Sequence, residues 1–171
     1  MRGKGIEFGA LNNSLPLRGD NTKIVYADKL TKLEALRLFP ELEESHTSII
    51  EPDLIIDFNT DDLSSLKTAQ FDFMIANHFI EHLVNPIRFL EDVSHIMKPG
   101  SLFFLTVPDK DFTFDKHRRL STNKHLWADY RHNKKVTCNA HIKDYLLHKE
   151  IVDTPHPAIV SYFKAHKLPL S

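Results

Sequence analysis

From Phe71 to His82 the chain reads Phe-Asp-Phe-Met-Ile-Ala-Asn-His-Phe-Ile-Glu-His, an apolar run that passes directly into residues able to ionise or to hydrogen-bond. Apolar side chains at nearly every position argue for a strand buried on both faces, as in a parallel sheet covered by helices. Three shorter apolar runs precede it, Gly5–Phe8, Lys23–Ala27 and Leu54–Ile56, each ending within about a residue of a carboxylate or a glycine. A helix pattern and a fifth apolar run, Ser101–Val107, follow. Strands that alternate with connections, and polar residues that gather where strands end, predict an open, mostly parallel α/β sheet of about five strands with helices on both faces. In such a sheet the ligand sits at the carboxyl ends of the strands.

The connections are legible from their punctuation. Thr31-Lys-Leu-Glu34 is a capping box, after which Leu33, Leu36 and Phe39 fall on one helical face until Pro40 stops the helix. Asp61 to Leu66 reads as a short helical turn. Asn85 and Pro86 make an N-cap and first-turn pair, Ile87, Leu90, Val93 and Met97 line one face, and Lys98-Pro99-Gly100 is expected to end that helix. Only 13 residues, 10 to 22, separate the first two strands, which leaves little room for a covering helix. Beyond Asp109 helical spacing recurs at Leu126/Tyr130, Ile142/Tyr145/Leu146 and Ile159/Phe163, with no clear strand.

At 171 residues the expectation is one domain, with an α/β core over 1–110 and a helical extension over 111–171. Residues 1–108 carry 10 Lys and Arg against 16 Asp and Glu, whereas residues 109–171 carry 12 against 7 and seven of the 11 histidines. That asymmetry suits an anionic substrate near the second part, or simply a solvated helical face. No basic run is long or aromatic-interleaved enough to argue for nucleic acid. The longest apolar stretch, Leu102–Val107, is far too short to span a bilayer, and Cys138 has no internal disulfide partner. A cytoplasmic location is the expectation.

Glu7-Phe-Gly9, Asp28, Asp57 and Asn77-His-Phe-Ile-Glu-His82, in that order over roughly residues 4–110, resemble a class I S-adenosylmethionine-dependent methyltransferase. The phrases Gly-Ala-Leu-Asn-Asn-x-Leu-Pro and Pro-Asp-Lys-x-x-Thr-Phe-Asp, the latter at 108–115, are similar to a bacterial methyltransferase-like subgroup. The resemblance implies a Rossmann-like sheet and S-adenosyl-L-methionine as cofactor, and it leaves the methyl acceptor, expected to be a small molecule or a sugar-containing compound, unidentified. It puts Glu7 and Gly9 beside the methionine moiety, Asp28 at the ribose hydroxyls, Asp57 and Phe58 at the adenine, and Asn77 and His78 where the family closes over the cofactor. His78, His82 and His117 are the candidate general bases by location. Each has a plainer reading: strand ends enter water and carry polar residues anyway, and Gly9 also suits a simple turn.

Two departures from the family pattern bear on function. Leu11 and Asn13 stand where family members commonly carry a second and third glycine, which weakens the case for carboxylate binding at a helix N-terminus. The family's sheet normally continues past the fifth strand with a helix and two final strands, one antiparallel, and here those terminal strands are expected to be absent. The bare edge would then be covered by the C-terminal helices or by a second subunit in a homo-oligomer, or the chain is a shortened copy. A degenerate, non-catalytic binding module is therefore the alternative reading. His78-Phe-Ile-Glu-His82 also matches the H-x-x-E-H pattern of zinc hydrolases, which requires one continuous helix.

Overall fold

The computed structural model describes residues 1–17, 21–40, 42, 48–67, 69–113, 116, 119–139 and 141–142. Five parallel strands form one sheet: β1 (Gly3–Phe8), β2 (Thr22–Asp28), β3 (Leu54–Ile55), β4 (Phe71–Asn77) and β5 (Met97–Thr106), in the order β3-β2-β1-β4-β5. This is an open Rossmann-like α/β sheet with β1 at its centre. Helix α1 (Lys32–Leu38) lies between β2 and β3, and α2 (Pro86–Ile96) between β4 and β5. These two connections step in opposite directions from the centre, so right-handed crossovers put their helices on opposite faces.

Each helix begins as its sequence dictates. The Thr31 side chain accepts the Glu34 amide at 3.2 Å while Glu34 reaches back to the Thr31 amide at 2.9 Å. Asn85 Oδ1 caps α2 by accepting the Arg88 amide at 3.1 Å, and Asp62 caps a 3-10 turn, Leu63–Leu66. A third helix, α3 (Asn123–Arg131), is capped by Thr122 and docks on α2, with Tyr130 Oη donating to Glu91 at 2.9 Å. The core on the α2 side gathers Ile6, Phe8, Met74, Ala76, Leu63, Phe79, Phe89, Val93 and Ile96.

Several expected details differ. The buried row of α2 is Phe89, Val93 and Ile96, and Leu90 is 40% exposed, because the Phe89 ring claims the core side of the helix. Ala35 is the buried residue of α1, and Leu33 faces solvent. Lys98 to Gly100 do not end a helix by a turn: β5 already starts at Met97, and the four residues Lys98 to Ser101 bulge out opposite Asp72 while Phe71 pairs with Met97 and Phe73 with Leu102. Strand β3 is two residues long and lies at the sheet edge, with Ile55 half-exposed. No helix stands in the described part of the β1–β2 connection. Strand β5 forms the opposite edge, with Leu102 and Leu105 exposed. The expected helices containing Tyr145, Leu146, Ile159 and Phe163 lie outside the described residues.

Candidate functional site

Because all five strands run the same way, their carboxyl ends share one rim. Phe8 pairs with both Ala27 and Ala76, so the next residue of each strand, Gly9, Asp28 and Asn77, stands level on three adjacent strands. Asp28 in turn pairs with Ile55, two residues before Asp57. The four residues singled out at strand ends are thereby on one border of the sheet.

Gly9 adopts φ +65°, and a Cβ there would stand 2.5 Å from Cδ2 of Phe79. Both the left-handed backbone and the aromatic ring behind it demand glycine. Asp28 is drawn upward in pKa by burial, opposed by the amides of Lys29, Leu11 and Leu30, the first donating at 2.7 Å. At Asp57 burial pulls the pKa up, but a 2.8 Å ion pair with Lys29 and the Asn59 amide outweigh it and hold the carboxylate below its usual range. Lys29 thus links the ends of β2 and β3.

Glu7 is 1% exposed, on the sheet face opposite Phe8. Its Oε1 accepts the Leu15 amide at 2.8 Å, and its Oε2 is buried with no hydrogen-bond partner among the described residues. Burial pushes its carboxyl above the usual range, against the pull of the Leu15 amide. A buried acceptor in that state is in want of a donor.

Phe58 turns its ring into an aromatic cluster, edge-on to Phe8 at 5.5 Å and to Phe79 at 4.9 Å, so most of its surface serves the core. Asn77 Oδ1 accepts the Thr106 hydroxyl across the β4–β5 pair. His78 has φ +49°, is half-exposed, and faces Glu81 at 3.6 Å. Only Ile80–His82 form a turn of 3-10 helix, so the continuous helix that an H-x-x-E-H zinc site requires is not built. His117 lies outside the described residues.

Beside the β4 end of the rim opens a cleft of ≈ 440 Å³, within the range of small-molecule sites. Its walls come from the segment after β4 (Glu81, His82), the segment after β5 (Pro108, Lys110) and α3 with its surroundings (Arg119, His125, Asp129, His141). Gly9, Asp28, Asp57, Asn77 and His78 do not line it, and His82 does. Reading the sequence missed His125, Asp129 and His141. The first two were visible as an i, i+4 pair on the helix marked by Leu126 and Tyr130, whereas His141 is brought in by tertiary packing.

A family model described as a methyltransferase domain matches residues 16–146. No curated protein and no solved structure matches the chain.

Proposed function

The chain belongs to the methyltransferase domain family, and from that premise we propose that it moves a methyl group from S-adenosylmethionine to a small-molecule or sugar-containing acceptor held in the cleft. One observation carries the reading: the orphaned Oε2 of buried Glu7, two residues before Gly9, fits the ammonium of a methionyl group. When bound, the cofactor supplies a sulfonium methyl group open to in-line displacement.

The chain's own residues then bind and align. Glu7 would accept the ammonium. Asp28 keeps about one of its roughly four lone-pair sites beyond those its three neighbouring amides take, and this suits a ribose hydroxyl. Asp57, kept ionised beside Lys29, suits an exocyclic amine. Asn77 is held in place by Thr106, next to where substrate would enter. Phe58 contributes at most an edge, since its ring is spent on the core. Catalysis is chiefly alignment of nucleophile and methyl group, plus removal of the acceptor's proton. Of the two candidate bases among the described residues, His78 and His82, it is His82 that lines the cleft, and we assign it that role. A cytoplasmic setting belongs to the same proposal, in keeping with the free thiol of Cys138.

A second reading, a non-catalytic relative, is favoured by the β1–β2 connection, which has Leu11 and Asn13 after Gly9 and no described helix. Methyl-labelled S-adenosylmethionine offered with a panel of hydroxyl- and amine-bearing small molecules separates the two. Label passing to an acceptor supports the enzyme, and cofactor that binds without ever losing its methyl group supports the module.

A further inference from the structure

We propose that His125, Asp129 and His141 form a binding site for a first-row divalent transition-metal ion of the zinc class, opening into the cleft. Both imidazoles present Nε2 to the same carboxylate oxygen: His125 Nε2 lies 3.1 Å and His141 Nε2 3.4 Å from Asp129 Oδ2. All three ligand atoms fall within 4.8 Å of one another. Ligand atoms around a tetrahedral ion with bonds of ~2.0–2.1 Å stand ~3.3 Å apart, so the two Asp–His separations already match. The His–His separation closes by a swing of His125, whose side chain is 46% exposed and has the room.

The helical turn that carries the carboxylate is held in advance. Asp129 is 6% exposed, and its carbonyl accepts both Asn85 Nδ2 at 3.2 Å and the Lys134 amide at 2.9 Å, which fixes the turn of α3 that bears it. Among the described residues these two histidines are the only ionisable partners of its side chain. Neutral imidazoles leave a buried negative charge that a dication would offset. Two nitrogens and one carboxylate oxygen are a ligand set for this class of ion, with at least one position left for water or for an oxygen from the cleft. The site stands on this geometry and does not depend on methyl transfer.

The test is equilibrium dialysis of the full chain against Zn²⁺ followed by elemental analysis, with Co²⁺ visible absorption reporting ligand geometry. One ion per chain is expected. Asp129→Asn, which keeps the side chain's shape, and His125→Asn, at a half-exposed position, should each weaken binding beyond the roughly 10–100-fold typical of losing an outer-shell partner. His95→Ala, an exposed histidine elsewhere, should leave it unchanged, and circular dichroism confirms that each variant is folded. Absence of stoichiometric metal, or binding that survives both cluster substitutions, overturns the proposal and leaves the three residues as a hydrogen-bonded latch.

Discussion

Asn85 Nδ2 donates a 3.2 Å hydrogen bond to the carbonyl of Asp129, while Asn85 Oδ1 accepts the Arg88 amide at 3.1 Å. One buried side chain thus starts α2 and ties α3 to it. The cleft depends on that tie, because its walls belong to both the segment before α2 and the helix α3.

Asn85→Ala removes the cap and the tie together. Loss of a cap costs about 1 kcal/mol and loss of a buried hydrogen bond about as much again, so unfolding stability should fall by about 2 kcal/mol. Asn85→Ser, which can still cap, should recover roughly half, as urea denaturation would show.

Gly9 and Phe79 are coupled by contact. Gly9→Ala places a methyl group against the ring and an L-residue at φ +65°, for an expected loss of about 2 kcal/mol or more. In a Phe79→Leu background the same substitution should cost only the ~1 kcal/mol of the backbone conformation. A double-mutant cycle measures the difference.

The reach of sequence reasoning follows from what each feature depends on. Gly9, Asp28 and Asn77 were found because apolar runs stop where strands stop, and Thr31 and Asn85 because caps are local chemistry. The face of α2 was not, since Ile87, Leu90 and Val93 share helical spacing as well as Phe89, Val93 and Ile96 do, and only packing chooses. The bulge after Met97 hid behind Pro99 and Gly100, which read as a stop. His141 meets Asp129 across a gap that no periodicity predicts.

Glu7 makes stability depend on pH. Its pKa is raised in the folded chain, so its contribution is fully present below the ordinary glutamate value and is lost as pH rises through the raised one. Glu7→Gln should therefore gain stability relative to the parent as pH climbs from acid toward neutral in the cofactor-free protein. Thermal melts across that range check it. The same variant should bind S-adenosylmethionine at least about tenfold more weakly, the cost of losing a charge-assisted bond.

His82 and His78 should separate kinetically. Once an acceptor is known, His82→Ala should lower kcat by about 100-fold with KM little changed, as for loss of a general base. His78→Ala, outside the cleft and half-exposed, should stay within about threefold of the parent; the reverse order would move the base to the His78–Glu81 pair.

Whether the shared rim of Gly9, Asp28, Asp57 and Asn77 holds a nucleoside is most directly measured by calorimetric titration with S-adenosylmethionine and its demethylated product. Saturable binding of both is expected at ligand concentrations between about 1 μM and 1 mM, the usual span of KM values, weakened at least about tenfold by Asp28→Asn in a folded protein. No heat at millimolar cofactor, or binding indifferent to Asp28→Asn, would contradict the proposed cofactor site.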